Sequence, residues 1–167
     1  VIHAPHDERA RTRDDDVAFA QVVADYFDNI RGIVYDYGSL EDKVRYGKNI
    51  WPETMPARTS FNDPTPFYLP EHVFGSNDWK DNFCLDFVHV WLTCQQLGLD
   101  YEKTIKKFLK QKPKHFHIGN TSTPYNDTHC LLRDGIVPLQ DILTLIPYKS
   151  TLTLELDHEI QDRGATI

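Results

Sequence analysis

Residues 83–91 read FCLDFVHVW, an apolar run broken only by Asp86 and His89. Its length and composition predict a buried strand over Phe83–Val90. A buried strand that carries a carboxylate and an imidazole near its end must satisfy both groups, because burying either alone is costly. The same combination recurs on both sides of this stretch. Glu53 sits in NIWPETMP (49–56), His117 in KHFHIGN (114–120), Asp127 and His129 in YNDTHC (125–130), and Glu155 in TLTLELD (151–157). Each is embedded in, or follows, a segment that reads as a strand.

Between these segments the pattern changes period. Val17, Phe19, Ala20, Val23, Ala24 and Phe27 recur at helical spacing behind the capping run Asp14–Asp16. Strands are expected at Val1–Ala4, Ile30–Tyr37, Asn49–Thr54, Phe83–Val90, His115–Ile118 and Thr151–Leu156. A short helix is expected near Thr65 or Pro70, two helices or one broken helix over 91–98 and 101–111, and an amphipathic helix over Pro138–Ile146. Strands separated by helices imply parallel pairing. The fold that brings acids and imidazoles from many parallel strand ends to one point is the (β/α)8 barrel. The expectation is therefore an α/β chain, a single domain over 1–167, built as a partial barrel of about six βα units with the first two missing. Its open edges would need covering, and pairing with a second copy is one way to do so.

Composition narrows the functions. The 167 residues are 40% hydrophobic and carry a net charge of -7. That sign lacks the basic footprint of a non-specific nucleic-acid binder. No apolar run is long enough to cross a membrane as a helix, and the start shows no export signal. Cys84, Cys94 and Cys130 are odd in number and form no CxxC spacing, so a reducing, cytoplasmic setting is expected. Trp51, Phe87 and Trp91 read as packing residues, the lysine-rich run Lys103–Lys114 as a solvated helix face, and His72 and His158 as surface. His6 reads as a loop residue. His115, two before His117, shares its face by strand alternation.

Taken in order, these motifs resemble the xylose isomerase-like superfamily of sugar (phosphate) isomerases and epimerases, which also includes the endonuclease IV type of abasic-site nuclease. VIHAPH is similar to its strand-end His motif (His3), and PETMP to its Glu-Asn-Met-Pro strand end (Glu53). LDFVH is similar to Asp-x-x-His (Asp86, His89), and HFHIGN to His-x-x-Asp, with Asn120 in the Asp position. NDTHCLLRDG is similar to an Asp-x-His followed by a Gly-containing turn (Asp127, His129, Gly135), and LTLELD to the terminal Glu strand (Glu155). Three departures stand out: Asp36 replaces a His of the nuclease branch, Thr54 replaces an Asn, and the interval from Asp36 to Glu53 is compressed.

The resemblance implies a divalent cation held by Glu53, Asp86, His117 and Glu155, with Mn or Zn favoured by the mixed donors and Mg or Co as alternatives. In the sugar reading, Glu53 and Glu155 move a proton through an enediolate that the cation stabilises, and His89 hydrogen-bonds a sugar or sugar-phosphate oxygen. In the nuclease reading, His89, Asp127 and His129 add a second or third metal and the substrate is abasic DNA; His3 and Asp36 are additional candidates for contact with metal or substrate. A third reading is a non-catalytic module that binds sugar or metal. The acidic balance and Asp36 favour the sugar reading.

Overall fold

The computed structural model describes residues 1–3, 21–27, 29–36, 49–57, 67–75 and 81–157. In chain order these form β1 (Ile2–His3), a helical segment α1 (residues 21–26), β2 (Ile33–Asp36), β3 (Ile50–Glu53), α2 (Pro70–Gly75), β4 (Cys84–Asp86), α3 (Phe87–Leu97), α4 (Tyr101–Leu109), β5 (His115–Ile118), α5 (Leu139–Leu143) and β6 (Leu152–Leu154). Every pairing is parallel, and the strands lie side by side in sequence order. The five strands of three or four residues, β2 to β6, curl into a half-barrel, with the two-residue β1 along one edge.

This corrects the expected partial (β/α)8 barrel of about six βα units. Among the described residues the sheet is open, with β1 and β6 as its two edges. Among the described residues no helix lies between β2 and β3 or after β6, and the helix between β5 and β6 has only five residues. The α/β class and the parallel order stand; the barrel architecture does not. The predicted cap at Asp14–Asp16 and the residues His6 and His158 lie outside the described residues.

A second correction falls on the deciding stretch. The strand ends at Asp86, and Phe87 opens α3. Asp86 is extended and caps the helix, its carboxylate accepting from the His89 N–H at 2.6 Å. Eight successive residues of α3, Phe87 to Cys94, are buried. A helix buried on all sides has no polar stripe, so the apolar run looks the same as a buried strand. The outcome matters for the site, because His89 stands on the first turn of a helix rather than in the sheet.

Side-chain alternation gives the sheet two distinct faces. Ile33, Tyr35, Ile50, Leu85, Phe116 and Ile118 point outward and join the main core with α3, α4 and α5. Val34, Trp51 and Cys84 form a separate small cluster on the inner face. The Trp51 indole lies directly over Gly32, where an added Cβ would come within 2.3 Å of the ring; only glycine lets the ring fill the floor of the half-barrel. One step further along each strand the inner face becomes polar: Asp36, Glu53, Asp86 and His117. No helix among the described residues is long and apolar enough to cross a membrane.

Candidate metal centre

Strand register brings the donors together. Asp36 pairs with Glu53, Asp86 with His117, and His117 with Thr153. All lie at the carboxyl ends of their strands, where ligands bind in open parallel sheets. Pro52 lacks an N–H, yet β3 pairs through it between β2 and β4. Glu155 follows β6 and continues the ladder, its N–H donating to the Ile118 carbonyl at 2.9 Å.

Glu53 is the hub. One carboxylate oxygen, Oε2, lies 3.1 Å from His3 Nε2. The other, Oε1, lies 3.0 Å from His117 Nδ1 and 3.4 Å from His89 Nδ1. His3 Nε2 is also 3.3 Å from Asp36, and His117 Nδ1 is 2.9 Å from Glu155 Oε1. His89 faces two ways. Its Nδ1 is 2.8 Å from the Thr54 carbonyl, which can only accept, so that nitrogen carries a proton. Its Nε2 lies 3.3 Å from Asp127 Oδ2.

The charges in this cluster sustain one another. Burial disfavours the imidazolium of His3, but hydrogen bonds and charge from Asp36 and Glu53 outweigh it and push its pKa up to about 11. Burial likewise opposes charge on His89 and His117. Asp86, Asp127 and Glu53 nevertheless hold His89 well above the usual imidazole range, and Glu53 with Glu155 does the same for His117. In return Glu53 is held well below the ordinary carboxyl value against its burial, chiefly by His117. Asp86 goes the other way. Burial and the carboxylates of Glu53, Glu155 and Asp127 raise it, with His89 only partly compensating.

Within this cluster the buried atoms Glu53 Oε1, His117 Nδ1 and Asp127 Oδ2 are engaged in ion-pair contacts without a well-aligned hydrogen bond, and Asp86 Oδ2 makes no hydrogen bond. Native proteins rarely leave such atoms unsatisfied, and an ion is one thing that satisfies them. These atoms are hard oxygens and imidazole nitrogens, the donor types of divalent cations such as Zn and Mn. Two groups of donors are close enough to hold an ion. In one, His3, Glu53, His117 and Glu155 offer atoms all within 4.8 Å of one another; in the other, Glu53, Asp86 and His89 do so. The residues present fit a bound cation.

The predicted quartet is thus brought together but differently partitioned. Glu53, His117 and Glu155 share a group with His3, while Asp86 belongs to the second group with His89. Asp36 stands behind His3, and Asp127 reaches His89. His129 belongs to neither group. Its backbone is left-handed (φ 44°), its N–H donates to Asp127 Oδ1 at 3.1 Å, and its ring lies 3.8 Å from Asp127 with two-fifths of the side chain exposed. The extended Asp-x-His geometry expected from spacing is absent.

Asn120 is also no donor to the site. Its Nδ2 donates to the Leu132 carbonyl (2.7 Å), and its Oδ1 accepts from the Thr121 and Val137 N–H groups (2.9 Å each). It fastens the loop that carries Asp127. A Cβ on Gly135 would fall 2.0 Å from Asn120 Cγ, which accounts for a glycine there. Sequence reasoning missed Thr54. It is fully buried, its hydroxyl accepts from the Asp86 N–H at 2.9 Å, and its carbonyl orients His89. No spacing rule marks such a residue; only its place directly after Glu53 does.

No protein-family model, curated protein or solved structure matches this chain.

Proposed function

We propose that the chain is a divalent-metal-dependent isomerase or epimerase of a small hydroxy-ketone or hydroxy-aldehyde, a sugar or sugar phosphate. The observation that carries this reading is the convergence of His3, Glu53, His117 and Glu155 on one point at the carboxyl edge of the sheet. These four would hold the cation, and their mixed N and O donors favour Mn or Zn over Mg or Co. When bound, the cation supplies positive charge against the negative charge that develops as a proton leaves carbon.

The chain's own groups have separable tasks. Glu155 is partly exposed, whereas Glu53 is buried, so Glu155 is the carboxylate that meets substrate and takes the proton. Glu53, across His117 from it, is the second carboxyl of the exchange. His89 is held by the Thr54 carbonyl with Nε2 turned away from it, which suits hydrogen bonding to a substrate oxygen beside Asp127. Under this reading the likeness to xylose isomerase-like enzymes rests on the order of the motifs in the sequence, since His3 rather than Asp86 joins Glu53, His117 and Glu155. Three free cysteines fit a reducing cytoplasm.

The test is hydrogen exchange from solvent water into a panel of ketoses and ketose phosphates by the Mn-loaded protein. Exchange that disappears in a folded Glu155→Gln variant supports the reading; absence of exchange across the panel, with metal bound, defeats it. A second reading, a phosphodiesterase acting on abasic DNA, is favoured by the second donor group Glu53, Asp86 and His89 with Asp127 beside it. It predicts at least two equivalents of metal and strand cleavage lost in Asp127→Ala. The exposed His129 and the Asp36–His3 pair weigh against a third ion. Metal binding without either activity would leave a binding module.

A further inference from the structure

β6 holds Glu155 yet has little of its own to hold it. Among the described residues it is the last strand of an open sheet, three residues long and paired on one side only. Its outward Leu152 and Leu154 are 48% and 41% exposed, so apolar burial contributes little to fixing it. Edge strands of this kind fray readily. Glu155 must nevertheless keep its Oε1 2.9 Å from His117 Nδ1.

The inner face supplies a tie. His115, fully buried beneath His117 on β5, places Nδ1 2.9 Å from the Thr151 hydroxyl and Nε2 2.8 Å from the Thr153 hydroxyl. A neutral ring donates from one nitrogen and accepts at the other, and a hydroxyl can answer either, so both contacts are satisfied at once. Thr151 and Thr153 lie on the same side of β6 as Glu155 by the two-residue period. The ring is itself held in place, tilted against Trp51 at 6.2 Å and edge-on to His117 at 5.3 Å. It belongs to neither donor group, and the reading above leaves it without a task.

We propose that His115 is a positioning residue: it staples Thr151 and Thr153, sets the register and height of β6, and so holds Glu155 at the cation site. This rests on the metal-centre reading but not on the identity of the substrate. It concerns where a ligand stands, and sugar turnover is not needed to see it.

The experiment measures Co2+ affinity and the Co2+ visible absorption spectrum for the wild-type chain, His115→Phe, Glu155→Gln and the double variant. Supporting groups of bound ligands typically contribute about 10–100-fold in metal affinity. His115→Phe is expected to weaken Co2+ binding by at least about 10-fold and to shift the spectrum toward that of Glu155→Gln. The double variant should bind no more weakly than Glu155→Gln alone, because the staple acts through Glu155. Thr151→Val with Thr153→Val removes the hydroxyls while keeping side chains suited to a strand; it should reproduce the loss and serves if His115→Phe does not fold. Unchanged affinity in these variants, or a double variant whose losses multiply, overturns the proposal while leaving the metal centre intact. A folded wild-type chain that takes up no Co2+ overturns both.

Discussion

Metal uptake should expel protons from the imidazoles of the first donor group. Asp36 and Glu53 push the His3 pKa up to about 11 against burial, and Glu53 and Glu155 hold His117 well above its usual range. Both imidazoles therefore carry a proton at neutral pH. A cation bound among His3, Glu53, His117 and Glu155 needs their lone pairs, so each ring must give up its proton first. Glu53 contributes none, since it is already ionised far below neutrality. One cation should thus release about two protons, and its apparent association constant should rise about 100-fold per pH unit between about pH 6 and 8. Calorimetric titration with Mn2+ at one pH, in buffers of differing ionisation enthalpy, counts the protons directly. His3→Ala should reduce the count to about one. A heat independent of buffer, with affinity flat across this range, would show that the rings are neutral before binding and that the charge network drawn here is wrong. Release of three or more protons with two equivalents of metal would instead recruit His89, the second donor group and the phosphodiesterase reading.

Two further outcomes follow from the same cluster. Raised folded-state pKa values stabilise fully only below the unfolded histidine value of 6.5, and that stability is lost as pH climbs toward the folded values, about 11 for His3. The urea midpoint of the metal-free protein should therefore fall as pH rises through that window and fall less with Mn2+ bound; a midpoint that rises in the metal-free protein would contradict the assignment. Thr54→Val should cost about 1–3 kcal/mol in urea unfolding, because the Asp86 N–H loses its buried acceptor, with Thr54→Ser retaining most of that stability. A loss below about 0.5 kcal/mol would show that Asp86 does not depend on Thr54.

Strand placement was legible because short apolar runs bounded by turn residues mark strands buried on both faces. His115–Ile118 was read with the boundaries the structure has, and β2, β3 and β6 fall inside their expected segments. The clustering of polar side chains was legible as well: Glu53, Asp86 and His117 interrupt apolar strands at positions where only a partner justifies a polar group. What sequence could not carry was long-range closure. Whether parallel strands close into a barrel depends on curvature and on which edges meet, and no single segment encodes either. Nor could it separate strand from helix at Phe87, where burial on every side erases the periodicity. The exchange of His3 for Asp86 in the first donor group has the same origin. Asp86 spends one carboxylate oxygen on the cap of α3, while β1 delivers His3 to Glu53 across β2.

The donor set also bears on how folding and binding are connected here. Structural zinc domains lack a preformed site, and their binding energy is their folding energy. This cluster is different, because Glu53 already has three imidazoles around it. Exchanging two ring protons for one divalent cation leaves the charge of the pocket unchanged. The repulsion among Asp36, Glu53, Asp86, Asp127 and Glu155 is therefore offset in both states, by imidazolium in one and by metal in the other. The sheet is therefore expected to persist in the metal-free protein. Glu155 is partly open and sits past the end of an edge strand. That position would suit the proposed role of a carboxylate that holds a cation and still exchanges a proton with substrate.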